Sequence, residues 1–348
     1  MAASGDPVTV LAEPQVGPGP DPAALDKPRA IDPGRARVDR IFHGSARTVG
    51  GLVLVLIGSI GVFLGLQSIP TLRHYGWSFF TQSSWDPAFD KLGIAAVLVG
   101  TFEVALVAMV FAFPLALATA IYISDYAPAR AKSTLVALVD LMAAVPSIVW
   151  GLWGFFLLEP RAIYVARWLN TYVGWLPFFH VDTDPRAAVW SQTRYTASAF
   201  IAGMAVAMMV LPMACAVMRG VFDLAPIGER EAALALGSTR WGVVRSVVLP
   251  FGRGGIVGGT MLALGRALGE TISVVLIISP AFDIKFRPLE VGTETISALI
   301  AGRFGEATSS QLSALLTAGF VLFLITLVTN TIAATVVNRS RNGAATEI

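Results

Sequence analysis

Apolar residues in this chain follow neither the period of a strand nor that of an amphipathic helix. They run together in six long blocks, at about 49–69, 94–123, 134–158, 197–218, 254–280 and 312–337. Each block reaches the ~20 residues that a helix needs to cross a hydrocarbon core. A lipid interior offers no partner for backbone N–H and C=O groups, so such blocks must close their hydrogen bonds internally as helices. The pattern predicts an all-α integral membrane protein with about six transmembrane helices. Residues 1–47 hold no such block, are rich in Pro, Gly, Ala and Asp, and end in Arg35, Arg37, Arg40 and Arg47. They are expected to form a disordered cytoplasmic tail with a basic membrane-proximal segment. No apolar stretch lies close to Met1, so the first span is expected to stay as an anchor and not to be cleaved. The membrane region is expected over 48–338, with a cytoplasmic loop at about 219–253 and a short cytoplasmic tail at 339–348.

Composition narrows the class. The chain is 55% hydrophobic and 14% charged, with a mean hydropathy of +0.69, which excludes an ordinary soluble enzyme. A net charge of +2 provides no basic field for nucleic acid. Cys215 is the only cysteine, and His43, His74 and His180 match no metal-ligand spacing, so a disulfide scaffold and a zinc site drop out. Charge also orients the chain: six spans put both ends on one side, and 15 Lys and Arg flank that side against 9 on the other. Both termini are therefore expected in the cytoplasm. Aromatic residues crowd the outer stretch 160–179 (Tyr164, Trp168, Tyr172, Trp175, Phe178, Phe179), expected to be an interfacial or partly re-entrant helix. Lys27, Lys91, Lys132 and Lys285 complete no Gly-rich phosphate loop, and there is no nucleophile elbow or H-E-x-x-H. No catalytic residue is assigned, and any nucleotide chemistry belongs to another chain.

The fifth block carries ionisable groups that a membrane tolerates at a cost of about 2.5–3.5 kcal/mol each. On an unbroken helix Arg266, Glu270 and Ser273 share one face, with Gly254, Gly258, Gly265 and Gly269 on a neighbouring one. The polar face is expected to line a pathway. A guanidinium fork suits an oxyanion, and Glu270 would hold Arg266 in place when no anion is bound. The competing reading is an Arg266–Glu270 salt bridge that only locks helix packing. Glu103, in the second block, is either a second partner for Arg266 or a residue near the outer interface. Pro114 and Pro146 are expected to kink the second and third spans.

The cytoplasmic loop holds Glu231-Ala232-Ala233, then Gly237, then Val247, Leu249 and Pro250, the spacing E-A-A-x3-G-x9-V-x-L-P. Its residues suit a short helix that ends at Gly237, with Pro250 at the start of the next span. This segment resembles the coupling loop of ATP-binding-cassette importer permeases. Two further runs, Ala143-Ala144-Val145-Pro146-Ser147-Ile148-Val149-Trp150-Gly151-Leu152-Trp153-Gly154 and Ala263-Leu264-Gly265-Arg266-Ala267-Leu268-Gly269-Glu270-Thr271, are similar to runs of the phosphate-specific importer permeases. Phe79-Phe80-Thr81 through Trp85-Asp86-Pro87 is similar to the family's first external loop.

The resemblance implies a type I importer permease in a bacterial cytoplasmic membrane, carrying inorganic phosphate by alternating access. It further implies a sister permease (PstA), a PstB ATPase dimer that alone holds ATP and Mg, and an external phosphate-binding protein (PstS). Glu231, Ala232, Ala233, Gly237, Leu249 and Pro250 would then form the ATPase coupling surface. The close alternative is a permease for another oxyanion, sulfate or molybdate. A more distant one is an ion-coupled carrier using Arg266, Glu270 and Glu103, which would need no docking segment.

Overall fold

The structure, a computed structural model, describes residues 33–187 and 190–342, so the tail expected over 1–32 and the end at 343–348 lie outside the described residues. The chain divides into two compact units, Met1–Ser59 and Ile60–Ile348. The described part of the first unit is helical, including residues 33–47 that the sequence reading assigns to the tail.

Apart from a single turn at Ser78–Thr81, the helices of the described residues in chain order are α1 (Pro33–Tyr75), α2 (Ala95–Ile121), α3 (Ala129–Ala144), α4 (Ser147–Trp153), α5 (Glu159–Val173), α6 (Ala199–Phe222), α7 (Ile227–Ala235), α8 (Arg240–Val243), α9 (Leu249–Leu268), α10 (Ile272–Ile277), α11 (Ile296–Arg303) and α12 (Ser309–Asn342). Wide π turns at Tyr122–Tyr126, Gly154–Leu158 and Val244–Val248 extend α2, join α4 to α5, and join α8 to α9. A two-residue antiparallel hairpin pairs Trp85 with Leu92 between α1 and α2. Among the described residues, six helical stretches are long and apolar enough to cross a membrane: Asp39–Tyr75, Ala95–Tyr126, Ser147–Val173, Ala199–Phe222, Arg240–Leu268 and Ser309–Thr335.

Two spans depart from the sequence reading. The third begins at Ser147, because Pro146 lacks an N–H and drives Val145 into extended backbone (φ −65°, ψ 126°). The apolar residues before it form the separate helix α3, and the aromatic stretch from Pro160 to Val173 is the second half of the span instead of an independent interfacial helix. Pro146 therefore breaks the chain of helical turns where a kink was expected, whereas α2 runs on through Pro114. The fifth span stops at Leu268, with Gly269 outside helical geometry (φ −95°, ψ 3°), and resumes as the short helix α10.

Small residues set the packing of the second unit. Ala105, Ala108, Ala112, Ala116 and Ala120 form a buried ladder on one face of α2. Against it, a Cβ placed on Gly203 of α6 would lie 2.6 Å from Val107 Cβ. On α9 a tight approach to α6 falls on Gly252, Gly255 and Gly259, which are buried, while Gly254 and Gly258 are half-buried. A Cβ at Gly252 would lie 2.3 Å from the Phe222 ring, and one at Gly255 2.6 Å from Val221. Lipid cannot drive helices together by the hydrophobic effect, so close backbone approach supplies the dispersion energy. Within the same unit the Thr71 and Ser313 hydroxyls, 2.7 Å apart, join the end of α1 to α12.

Candidate functional site

The segment after α6 folds as its sequence dictates. Helix α7 closes in a Schellman arrangement: the Ser238 N–H donates to the Ala233 carbonyl (3.1 Å) and the Gly237 N–H to the Leu234 carbonyl (2.9 Å). Gly237 takes φ +86°, where a side chain would be strained. Thr239 Oγ1 then accepts from the Gly242 N–H (3.1 Å) and caps α8, and Pro250 occupies the first turn of α9. No residue of α7 is buried. Glu231 and Ala232 are exposed, Ala233 and Leu249 are half-buried, and Pro250 is exposed. Ile227, Leu234 and Trp241 also stand in the open, as does Leu236 at 88% exposure. Large apolar side chains on a charged helical hairpin are the composition of a docking surface.

A second cluster lies where three helix starts converge. The Ser273 hydroxyl sits 2.9 Å from both Glu270 Oε1 and the Ser147 carbonyl oxygen. The Ser273 N–H also donates to Glu270 Oε1 (3.3 Å). Glu270 thus lies in the break between α9 and α10 and takes up a backbone donor that the interrupted helix leaves free. The Ser297 hydroxyl donates to the Glu270 carbonyl (2.6 Å), tying in α11. Thr295 Oγ1 accepts from the Ala298 N–H and caps α11, and Thr101 Oγ1 of α2 accepts from the Ile296 N–H (3.0 Å). The first run that carries the resemblance packs on α10, just past the end of the second: a Cβ on Gly151 would lie 2.8 Å from Ser273 Cα, and one on Gly154 2.6 Å from Ile277.

This geometry corrects the picture of one polar helical face. Glu270 is 8% exposed and Ser273 fully buried, whereas Arg266 is exposed in the last turn of α9. Arg266 makes no ion pair among the described residues; its guanidinium lies 3.7 Å from Met209 Sδ. Glu103 is buried beside the backbone of Arg287 in the loop between α10 and α11, and its Oε1 has no partner among the described residues, so it does not join Arg266. Gly265 faces Asn330 of α12.

The sequence reading missed a buried polar run, Thr293, Glu294, Thr295 and Ser297, together with Thr101. Its signal was present in Thr295 three residues before Ala298, a hydroxyl at the head of an apolar helix. Glu294 borders a cavity of about 250 Å³ that Arg303 also lines. Burial pushes the Glu294 carboxyl up to about 7, against the opposing pull of the Thr295 N–H and of Arg303.

Known proteins match this arrangement. The family described as binding-protein-dependent transport system inner membrane component matches residues 112–342. Phosphate transport system permease protein PstC 2 of Mycobacterium tuberculosis is 37% identical over 311 residues, covering 88% of this chain and 94% of its own length. Its counterpart PstC of Xylella fastidiosa is 36% identical over 307 residues, covering 88% and 92%. PstC of Mesorhizobium japonicum is 37% identical over 314 residues, covering 89% and 93%. Among solved structures, a bacterial ABC transporter that imports alginate superposes with a TM-score of 0.53 at 14% identity, over 88% of this chain and 99% of that one. The alginate transporter in complex with its periplasmic protein gives 0.54 at 14% identity, over 86% and 94%. These likenesses show the permease fold. The chain belongs to the binding-protein-dependent inner-membrane permeases and, within them, to the phosphate transport system permeases called PstC.

Proposed function

We propose that this chain is the transmembrane permease subunit of an ATP-driven importer of inorganic phosphate in a bacterial cytoplasmic membrane. The single observation that carries the substrate is its identity of 33–38% with relatives named phosphate transport permeases, over most of the folded chain. The docking segment favours this reading over an ion-coupled carrier, which has no use for an exposed helical hairpin closed by Gly237. ATP and Mg would be bound and hydrolysed on a separate PstB-type ATPase seated on Glu231, Ala232, Ala233, Gly237, Leu249 and Pro250. A PstA-type sister permease would complete the pore, and a PstS-type phosphate-binding protein would deliver the anion from outside. Both termini would face the cytoplasm.

Arg266 supports the anion path by what it lacks. A guanidinium on a membrane helix, presented on the subunit surface with only a thioether beside it, needs a counter-charge or a wet cavity. A phosphate between two permease subunits supplies the counter-charge, and the planar fork can bond two of its oxygens. Glu270 serves as a positioning residue, holding the break that ends α9 one turn beyond Arg266. Uptake of labelled phosphate into proteoliposomes holding the complete importer tests the reading. Excess unlabelled phosphate should abolish the signal and excess sulfate or molybdate should not. Competition by sulfate or molybdate at equal strength would reassign the substrate.

A further inference from the structure

The docking helix is held by one side chain. Among the described residues, Arg230 is the only residue of α7 whose side chain makes a hydrogen bond. Its guanidinium reaches in two directions, with Nη1 donating to the Asp125 carboxylate in the π turn that ends α2 and Nη2 to the Phe222 carbonyl at the end of α6. The pair is largely shielded, at 21% and 9% side-chain exposure. Beside it, Asp223 Oδ1 accepts from Lys132 Nζ (2.9 Å) and from the Ser124 hydroxyl (3.0 Å), bracing the same turn to α3 and to the end of α6.

Helix α2 and its π turn run without a break from Ala95 to Tyr126. At ~1.5 Å per residue, Asp125 and Thr101 lie ~36 Å apart on one rigid rod. At the far end Thr101 bonds the Ile296 N–H, and Gly100 lies so close to α11 that a Cβ there would sit 2.2 Å from the Glu294 carbonyl oxygen. From Ile296 it is one residue to Ser297, which bonds the Glu270 carbonyl. Packed, hydrogen-bonded elements of this kind carry displacement because close-packed contacts shift as units instead of yielding.

We propose that Arg230 and Asp125 form the positioning pair through which the docking helix drives α2, and through α2 the cluster of Thr101, Ser297 and Glu270. The proposal rests on the reading of α7 as the ATPase docking surface. Two features fit a strut better than an anchor. A guanidinium that bonds acceptors on two different helices fixes orientation as well as distance, which an ammonium group cannot do. On the side of α7 turned away from Arg230, Gly228, Ala232 and Ala235 are exposed, which leaves that side free for the partner.

The test is the number of phosphate ions carried per ATP hydrolysed by the complete reconstituted importer. A purely structural pair would lower uptake and hydrolysis together and leave that ratio unchanged. Arg230→Ala and Asp125→Asn should each retain the ATPase on purification yet lower the ratio about fivefold or more, and the double variant should do no worse than the poorer single one. An unchanged ratio in the single variants, or losses that multiply in the double, overturns the proposal. Should Arg230→Ala fail to reach the membrane, Arg230→Lys and Asp125→Glu keep both charges while altering the fork and the reach. They should lower the same ratio by a smaller factor, and a wild-type ratio in both is again contrary. A wild-type chain that neither retains the ATPase nor carries phosphate overturns the functional reading and the pair's role with it. A wild type that does both, beside variants that keep its ratio, overturns the pair's role alone.

Discussion

At the scale of single residues, the break at Gly269 separates Arg266 from Glu270, and the proposed reading gives them separate tasks. Arg266→Gln should remove phosphate uptake, since it removes both charge and fork, while Arg266→Lys keeps a point charge and should retain part of it. Adding Glu270→Gln to Arg266→Gln should restore nothing, because the two groups form no pair. Recovery of uptake in that double variant, normalised to inserted protein, would return the pair to a packing role. Glu294 makes a prediction about stability. Its carboxyl has a usual value of 4.5 and is raised to about 7 by burial, so across that window the folded chain holds a proton that the unfolded chain has released. Stability should therefore fall as pH rises from about 4.5 to about 7 and change little above that. The shift corresponds to roughly 3 kcal/mol at ~1.36 kcal/mol per pH unit. Glu294→Gln removes this dependence. Melting of purified protein between pH 5 and pH 8 should show the variant gaining on the wild type as pH rises; parallel curves would mean that Glu294 is solvated in the folded chain.

At the scale of elements, the fold uses interruption as much as continuity. The breaks at Val145-Pro146 and at Gly269-Glu270-Thr271, and the start of α11, place backbone and hydroxyl groups together inside the unit, where an unbroken helix would have hidden them in its own ladder. The docking segment shows the opposite economy, a nine-residue helix closed by a single glycine. Gly237→Ala should cost about 1–2 kcal/mol locally, because φ +86° is left-handed backbone, and Gly237→Pro should not close the turn at all. Both variants should insert normally in the membrane and lose the co-purifying ATPase, the proline variant more completely. Undiminished ATPase recovery with either would remove the coupling role from this hairpin.

At the scale of the whole molecule, the proposed arrangement has six spans with both ends in the cytoplasm, on the side that 15 basic residues flank against 9. Reporter fusions after Ile348 and within 183–187 should report opposite sides of the membrane. A shared side would require an even number of crossings between the two fusion points and would overturn the six-span arrangement.

Apolar block length by itself determined the class, the number of spans and four of their positions, because the cost of an unsatisfied backbone in lipid leaves a long apolar run no other conformation. The local fold of the segment after α6 was equally legible, since its devices are local: a helix-forming run, a glycine that accepts positive φ and a proline in the first turn of α9. Tertiary structure alone decided where the third and fifth spans break, which glycines touch a neighbour, and which polar groups meet. Periodicity assumes an unbroken helix, and that assumption put Arg266, Glu270 and Ser273 on one face. The break at Gly269 is stabilised by partners 126 and 27 residues away in sequence, the Ser147 carbonyl and the Ser297 hydroxyl. Asp125 and Arg230, 105 residues apart, were unremarkable as isolated charges near helix ends and meet only because α2 and α6 pack side by side through alanine and glycine. Pairings at such separations depend on how the helices pack, and no local pattern of residue types records that.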